Sequence, residues 1–393
     1  MRRNRIISII TIIGFGIFAS YYGGNVSYGL FYLSLAVPLV AFLYTLYVYS
    51  RFKIYQNMDS YKVVKGDWND YSFVIGNEDF ISYQNIKVKF FSKRSTIDQA
   101  DQIMEYSLIP GESKKLESKI KANYRGEYEV GIESVEVTDF LYLFSITYPL
   151  LTRMRLVVLP RVIELDNLGI APPQVDVKNP IFSANNVEEE LDAEVRKYQA
   201  GDNKKRIHWK ASAKLGELVS RKYHYRPKAR IVLYMDLVKV DEGELEAIII
   251  EDKIIESVLA IANYYNQRGT PSQIIYDDLG IKSLNISSQE DFDAFYNKCA
   301  KIDFDASISV DKLISAQMAR GEDGRFILLA THLLTRELYL VVQETLTNGN
   351  YLTILFISDD LSEEAKTMVD EFRSIGVMVY QVMLEDEISH VIG

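Results

Sequence analysis

The feature of the sequence that most constrains its fold is an uncharged run from Ile6 to Ser50. One interruption at residues 21–25 (Tyr-Tyr-Gly-Gly-Asn) divides this run into two apolar stretches, Ile6–Tyr22 and Leu30–Tyr49. Each stretch is long enough to cross the ~30 Å hydrocarbon core of a bilayer as a helix, and a helix satisfies its own backbone hydrogen bonds in lipid. The sequence therefore predicts a transmembrane helical hairpin over residues 1–53.

The cationic residues predict how this hairpin is oriented. Arg2, Arg3 and Arg5 precede the first helix, Arg51 and Lys53 follow the second, and the turn contains no Lys or Arg. Because positive flanks stay in the cytoplasm, we expect a two-pass protein of the cell membrane with both termini cytoplasmic. A cleaved signal peptide is the alternative, but no small-x-small cleavage site closes the first stretch. Interfacial tyrosines are expected near the turn (Tyr21, Tyr22, Tyr28, Tyr32) and near the other interface (Tyr44, Tyr47, Tyr49), and Pro38 is expected to kink the second helix.

Charge is distributed unevenly along the chain. The formal net charge is -10, yet residues 195–230 hold twelve Lys/Arg against two Asp/Glu, whereas residues 231–393 hold 29 acidic and 12 basic residues. A basic segment therefore stands beside an acidic domain. The single cysteine, Cys299, has no partner in the sequence for an internal disulfide or a cysteine-based zinc site. Its amphipathic surroundings predict a half-buried thiol.

Residues 54–176 are predicted to form a β-rich, sandwich-like domain. Short runs that alternate polar and apolar residues, such as 71–75 and 86–91, are typical of half-buried strands, and turn signals such as Pro110-Gly111 separate them. Residues 92–103 are too polar to assign. Nothing in this domain indicates catalysis, so we interpret it as a structural or protein-contacting module. The other predicted strands cover 128–130, 135–137 and 156–159.

Residues 177–230 are predicted to be a linker followed by a basic signature segment. The acidic run Glu188–Glu190 precedes the dense Lys/Arg stretch and is interpreted as its solvated partner. A short extended entry is expected around Ile207–Trp209, and one or two helical turns over 211–218. The basic stretch has three open interpretations: docking on the acidic domain or a partner, contact with anionic inner-leaflet lipid, and binding of nucleic acid. No nucleic acid partner is expected, because the whole chain is acidic and is predicted to be membrane-bound.

Residues 231–393 change to a pattern of strand then helix. Apolar runs without alternation, such as 231–235, are typical of strands buried on both faces, and amphipathic stretches such as 252–266 separate them. This pattern predicts a doubly wound α/β domain with a mostly parallel sheet. Asp236 and Asp359 each follow a predicted strand, where such sheets bind ligands, so they are candidate ligands of a divalent metal. Further strands are predicted at 273–276, 326–329, 352–357 and 377–380, and further helices at 290–300, 337–345 and 363–374.

Taken together, these segments resemble the bacterial family called domain of unknown function 58 over nearly the whole chain. Arg125-Gly126-Glu127-Tyr128, followed by Gly131, matches an RGxY-type element, and Asp139–Phe144 matches an acidic-Phe-Leu-Phe element. Pro160-Arg161 matches a strand that ends in Pro-Arg. The strongest match is a signature of R-x-Y, then GD, then R-I-x-W and a helix with small residues. Its residues here are Arg196, Tyr198, Gly201, Asp202, Arg206, Ile207, Trp209, Ser212 and Ala213.

The resemblance implies that the C-terminal domain is similar to von Willebrand factor A. A working metal site of that type has Asp-x-Ser-x-Ser after its first strand. Here the stretch is Asp236-Leu237-Val238-Lys239-Val240, which lacks both serines. We therefore expect no cofactor, and we do not expect Mg²⁺ to bind. The resemblance also implies association with a MoxR-type AAA+ ATPase and, for some members, with a transglutaminase-like membrane protein.

Motifs of known enzyme classes are missing from the sequence. It contains no GxxxxGK[ST], HExxH or GxSxG, and no two of its four histidines stand at metal-ligand spacing. We therefore interpret the protein as a non-enzymatic, membrane-anchored scaffold or adaptor that works with the ATPase in assembly or maturation of envelope protein complexes. The alternative is a hydrolase with an unrecognised carboxylate site. The residues expected at the interaction surface, or instead in a lock between domains, are Arg196, Tyr198, Gly201, Asp202, Arg206, His208 and Trp209.

Overall fold

The structure is a computed structural model in which the chain forms two compact units, Met1–Arg161 and Val162–Gly393. We call these unit 1 and unit 2 and describe each by itself. The described residues are 1–98, 101–148, 153–170, 187–197, 207–227, 231–319, 325–360 and 362–393; the side chains of 187–196, 215 and 220–227 are not described.

Unit 1 begins with two long helices, α1 (Arg2–Tyr22) and α2 (Gly24–Arg51). By length and composition, both can cross a membrane. The predicted five-residue turn is reduced to Gly23, whose φ of 60° lies in the left-handed region that glycine adopts without strain. At 1.5 Å per residue, the 28 residues of α2 span roughly 42 Å, which exceeds the ~30 Å hydrocarbon core of a bilayer. Pro38 lies inside α2, and because proline lacks an N–H, the carbonyl of Ser34 has no helical donor.

The rest of unit 1 is the β-rich domain. Phe73 and Ile75 from one four-stranded sheet share a core with Ile86, Val88 and Val137 from another. Polar and apolar residues alternate along the strands because one face of each sheet points into this core. The sheets have the orders β1-β3-β7-β5, β10-β9-β4-β6 and β2-β11-β8. The strands are β1 (Lys53–Met58), β2 (Lys62–Val64), β3 (Trp68–Gly76), β4 (Tyr83–Phe90), β5 (Ser95–Ile97), β6 (Ile103–Leu108), β7 (Ser113–Ala122), β8 (Gly126–Val130), β9 (Ile132–Thr138), β10 (Ser145–Tyr148) and β11 (Met154–Leu159).

Unit 2 begins at Val162, whereas the sequence predicts a β-rich domain that continues to residue 176. Leu165 and Ile170 are buried in the core of unit 2. Further along lies an antiparallel hairpin of β12 (Val187–Lys197) and β13 (Val219–Pro227), with a short helix α3 (Trp209–Leu215) between the two strands. The linker and basic segment therefore contain a β-hairpin that the sequence did not predict.

A six-stranded sheet forms the centre of unit 2. Its order is β16-β15-β14-β17-β18-β19, with β16 antiparallel at one edge and the other strands parallel. Ile231 and Leu233 face one apolar core, and Val232 and Tyr234 face a second, so both faces of the sheet are covered. Its strands are β14 (Ile231–Met235), β15 (Ser272–Asp277), β16 (Ile281–Ile286), β17 (Phe326–Thr331), β18 (Tyr351–Ile357) and β19 (Met378–Val382); the helices are α4 (Glu244–Gln267), α5 (Gln289–Cys299), α6 (Val310–Met318), α7 (Arg336–Thr347), α8 (Glu363–Ser374) and α9 (Ile388–Ile392).

Cys299 ends helix α5 and is fully buried in the larger of these cores. The prediction of a half-buried thiol is therefore wrong. The amphipathic pattern identified the correct face of α5, but it could not show how deeply that face is covered by the sheet.

Candidate functional site

The signature segment is described from Ile207 onward, and it forms a short helix with well-defined ends. The His208 side chain caps the N-terminus of α3, because its Nδ1 accepts a hydrogen bond from the N–H of Ala211 at 3.3 Å. Gly216 ends the helix in the left-handed conformation, with φ of 72°. His208 thus has a structural role as a helix cap.

Two buried residues hold α3 against the hairpin. Ser212 is buried, and its hydroxyl accepts a hydrogen bond from the N–H of Val219 at 3.0 Å. The N–H of His208 donates to the carbonyl of Val219 at 2.9 Å, and Ile207 is buried. The small residue of the signature is therefore needed for close packing of α3 on β13.

Trp209, the first residue of this helix, is exposed. Its side chain is 67% exposed, although tryptophan is usually well buried. Lys210 and Ala213 beside it are also exposed. An exposed indole offers a large, rigid contact area together with one hydrogen-bond donor, which is typical of protein-binding surfaces.

The other residues of the predicted interaction surface are only partly covered by the structure. Arg196 lies in β12 and pairs in register with Ser220, but its side chain is not described. Tyr198, Gly201, Asp202 and Arg206 lie outside the described residues. Of the seven predicted residues, the side chains that the structure describes are those of His208 and Trp209.

The hairpin places the acidic run and the basic segment on paired strands. Glu188 is opposite Arg226, and Glu190 is opposite His224, in the antiparallel register of β12 and β13. The prediction that the acidic run is the partner of the basic segment thus agrees with the backbone pairing, although the partner is a strand and not a solvated linker.

The second predicted site lies at the carboxyl ends of the parallel strands. Asp236 follows β14 and is buried. Its carboxylate accepts hydrogen bonds from the hydroxyl of Thr331 at 2.7 Å and from the N–H of Val238 at 3.1 Å. Burial raises the pKa of Asp236, because the charged form is poorly solvated there.

His332 lies beside Asp236, directly after β17. Its Nδ1 is 3.9 Å from a carboxylate oxygen of Asp236, and its side chain is buried. Burial lowers the pKa of His332, so the ring is neutral near pH 7. Asp236 and His332 thus form a buried titratable pair at the point where the strand order of the sheet reverses, which is where sheets of this type bind ligands.

The remaining rim carboxylates bind backbone N–H groups. Asp359 accepts a hydrogen bond from the N–H of Leu384 at 2.7 Å. Asp277, which the sequence analysis missed, ends β15 and accepts hydrogen bonds from the N–H groups of Gly280, Ser307 and Ile308 and from the Ser307 hydroxyl. Among the described residues, no group of three or more His, Cys, Asp or Glu side chains is arranged to hold a metal ion. These carboxylates therefore stabilise the loops at the rim of the sheet.

A third arrangement, in unit 1, joins the end of α2 to loops of the β-rich domain. The ring pairs Phe42–Phe144, Tyr44–Phe140 and Tyr47–Phe80 have centroid distances of 5.4, 5.6 and 6.3 Å. We call this set the aromatic ladder. The phenol of Tyr44 also donates to the carbonyl of Ser82 at 2.8 Å. Tyr44 and Tyr47, predicted as interfacial residues, therefore attach the helix to the domain.

Two carboxylates organise the loops of the ladder. The buried Asp139 accepts hydrogen bonds from the N–H groups of Leu141, Leu143 and Phe144, which fixes the loop 139–144. Asp79 accepts hydrogen bonds from Arg51, Tyr83 and Tyr47. The hydrogen bond from Arg51, together with that from Tyr83, holds the pKa of Asp79 below its usual range. The acidic-Phe-Leu-Phe element is thus a docking loop for α2.

Comparison with known proteins leaves the family of the chain open. No family model and no curated protein matches it. Among solved structures, the CARDB domain of the PF1109 protein from Pyrococcus furiosus in complex with di-metal ions is 16% identical, with 27% of this chain and 91% of that chain covered and a TM-score of 0.19. A non-cellulosomal cohesin from Archaeoglobus fulgidus is 10% identical, with coverage of 27% and 91% and a TM-score of 0.19. The secreted serine protease VesC from Vibrio cholerae is 11% identical, with coverage of 30% and 25% and a TM-score of 0.21.

Proposed function

We propose that the protein is a membrane-anchored, non-enzymatic adaptor that recruits a MoxR-type AAA+ ATPase to the cell membrane for assembly or maturation of envelope protein complexes. The observation that carries this proposal is the exposed Trp209 on a helix capped by His208. The choice of ATPase comes from the resemblance to the domain of unknown function 58 family. A transglutaminase-like membrane protein is a second partner that the same resemblance suggests.

The proposed anchor is supported by the exposure of α1 and α2. Within their most apolar stretches, only 6% and 11% of the residues are buried by the rest of the protein. A core helix of a soluble protein would be mostly buried, so these surfaces need a different apolar environment, which a bilayer supplies. The aromatic ladder starts at Phe42, where the last turns of α2 extend beyond the hydrocarbon core.

We further propose that the six-stranded domain is similar to von Willebrand factor A but does not depend on a metal. The strand order, the antiparallel edge strand β16 and the helices on both faces support this assignment. Asp236 and Asp359, the metal candidates, already accept backbone N–H groups. A domain of this kind can serve as a rigid platform for protein binding.

A hydrolase remains the second candidate, because one observation favours it. Asp236 and His332 are buried side by side and their pKa values are shifted, which is common at catalytic sites. Hydrolytic activity on acyl, phosphoryl or glycosyl substrates, abolished by Asp236→Asn, would support the enzyme and contradict the adaptor. The screen uses the full chain with and without Mg²⁺ or Mn²⁺.

Crosslinking in native membranes followed by mass spectrometry tests the adaptor. We expect wild type to capture an AAA+ ATPase and Trp209→Ala to lose at least four-fifths of that product, because the central aromatic contact of an interface is removed. The matched control is Trp68→Ala, since Trp68 is the other tryptophan of the chain and is 49% exposed on β3.

The melting temperature of each variant separates binding from folding. An unchanged melting temperature for Trp209→Ala, together with loss of the crosslink, supports an interaction surface. Capture of the ATPase by Trp209→Ala at the wild-type level would contradict the assignment of Trp209, and no ATPase in any sample would contradict the adaptor function itself.

A further inference from the structure

A groove lies between α1, α2 and the loop 139–144 of unit 1. It begins as an apolar cavity of about 450 Å³ that extends from Asn4 and Leu141 to Phe15 and Leu30. A second cavity of about 380 Å³ shares Phe15 and Leu30 with the first and continues to Phe18. The groove therefore follows α1 from Asn4 to Phe18, which is roughly 21 Å along the helix.

Thr11 and Ser34, two of the polar residues along this groove, bond within their own helices. The Thr11 hydroxyl donates to the carbonyl of Ile7 at 2.8 Å, and the Ser34 hydroxyl donates to the carbonyl of Phe31 at 2.7 Å. No hydroxyl donor of these residues is left for a ligand. The groove therefore presents an apolar surface, which suits a hydrocarbon chain.

The mouth of the groove is cationic. Arg5 donates through Nε to the carbonyl of Leu143 at 2.6 Å, and Leu143 lines the groove. The two terminal nitrogens of Arg5 contact no acceptor among the described residues. Arg2 and Arg3 are exposed, and the first turn of α1 contains no acidic residue. An anion at this position would bind the terminal nitrogens of Arg5. The carboxylate of the adjoining loop, Asp139, is buried and already accepts three backbone N–H groups.

We propose that this groove binds one anionic phospholipid of the cytoplasmic leaflet, with an acyl chain between α1 and α2 and the phosphate at Arg5. The proposal depends on the membrane anchor proposed above. The cavity has a volume in the range of about 300–1,000 Å³ that single small ligands occupy. The loop that Asp139 organises thereby closes one side of a lipid site.

Native mass spectrometry of the full chain, released from nanodiscs of equal phosphatidylglycerol and phosphatidylcholine, tests this proposal. We expect one retained phosphatidylglycerol per chain and at least a threefold loss of it in Leu33→Trp, because Leu33 lines the groove and the larger ring fills it. The matched control is Leu35→Trp: Leu33 and Leu35 are both exposed on α2, at 59% and 53%, and Leu35 does not line the groove.

The phosphate contact is tested separately. Arg5→Gln is expected to lower phosphatidylglycerol retention at least threefold and to remove the preference over phosphatidylcholine. Arg153→Gln is its control, since Arg153 is an exposed arginine that pairs with Glu129 on β8. Equal retention of the two lipids by wild type, or equal retention of phosphatidylglycerol by Leu33→Trp and Leu35→Trp, would overturn the site.

Failure of the lipid site and failure of the proposed function give different results. Extraction of the protein from native membranes by alkaline carbonate would contradict the anchor, and with it the lipid site. An inserted protein that crosslinks the ATPase but retains no lipid selectively would overturn the lipid site alone. A protein crosslink through a photoreactive residue at Leu33, in place of a lipid adduct, would also overturn it, in favour of a partner helix.

Discussion

Some of the buried carboxylates of this protein fix loops, and Asp277 is the clearest case. It accepts four hydrogen bonds, three from backbone N–H groups and one from the Ser307 hydroxyl, at 2.8–3.0 Å. Burial alone would raise the pKa of Asp277, but these hydrogen bonds outweigh it and hold the pKa below its usual range. The charged carboxylate therefore stabilises the folded state.

Replacing this carboxylate should cost stability in a pH-dependent way. We expect Asp277→Asn to lower the free energy of unfolding by about 2 kcal/mol at pH 7, because an amide cannot accept all four hydrogen bonds. The folded-state pKa is below the unfolded value of about 3.9, so the contribution is present above pH ~4 and is lost as the pH falls through the folded-state pKa. Denaturant unfolding of the full chain in detergent at several pH values measures it.

The neighbouring Asp278 supplies the control. It pairs with Lys298 at 3.2 Å near the surface, and such pairs contribute at most about 1 kcal/mol. Asp278→Asn should therefore leave stability almost unchanged. A difference between wild type and Asp277→Asn that stays constant from pH 7 to pH 2 would contradict the role given to the Asp277 charge.

For single residues, the sequence predicts which polar residues lie at the rim of the sheet, but not which groups they bond. Asp236 and Asp359 were found because a polar residue after an apolar strand marks the rim of a parallel sheet. Asp277 follows a predicted strand in the same way, but its partners Ser307 and Ile308 lie thirty residues further on, in a loop without periodicity. His332 was noted as one of four histidines, and only the parallel pairing of β14 with β17 places it beside Asp236.

At the scale of elements, the aromatic ladder is the main contact between a helix and a sheet domain in unit 1. Phe140 and Phe144 belong to the loop that Asp139 fixes, and their side chains contact aromatic rings on α2. Aromatic pairs of this kind contribute about 0.5–1.5 kcal/mol beyond the area that they bury. The ladder therefore holds the loop closed over the cationic start of α1, where Asn4 and Arg5 bond the carbonyls of the same loop.

Removing the ladder should loosen this loop without unfolding the domain. We expect Phe140→Ala with Phe144→Ala to raise amide hydrogen exchange in residues 139–148 at least tenfold, since the local contacts that protect the loop are lost. Exchange in β3, in the core of the domain, should not change. Tyr55→Ala is the control, because Tyr55 is an exposed aromatic residue of β1. Wild-type exchange in the double variant would mean that the hydrogen bonds of Asp139 suffice to fix the loop.

Elements with strong periodicity were predicted well, and weakly patterned ones were not. The buried strands of unit 2 were placed within one or two residues, and helix α8 was predicted over its full range, 363–374. Edge strand β16 and the strand β7 were missed, because their alternation is carried by charged or polar residues on one face. The hairpin of β12 and β13 was missed because its pairing joins segments that a helix separates.

At the scale of the whole molecule, the proposed topology places the single-residue turn outside the cell. We expect Asn25→Cys to react with an impermeant maleimide in intact cells, because Asn25 lies two residues after the turn. The cytoplasmic control is Glu363→Cys, an exposed position at the start of α8. Labelling of Glu363→Cys, without labelling of Asn25→Cys, would reverse the proposed orientation.

The native thiol of Cys299 does not show on which side of the membrane unit 2 lies in this experiment. Cys299 is fully buried, so it should resist a maleimide on either side of the membrane. The wild-type chain therefore serves as the background sample, and labelling of wild type in intact cells would show that the core of unit 2 opens under the conditions used.

The joint between α2 and β1 has a mechanical consequence. Only Phe52 separates the end of the helix at Arg51 from the start of the strand at Lys53, and Phe52 is buried against Tyr148. Because a single buried residue connects them, the helix and the strand cannot change orientation independently. In the proposed membrane topology, a tilt of the hairpin would therefore turn the β-rich domain by a similar angle.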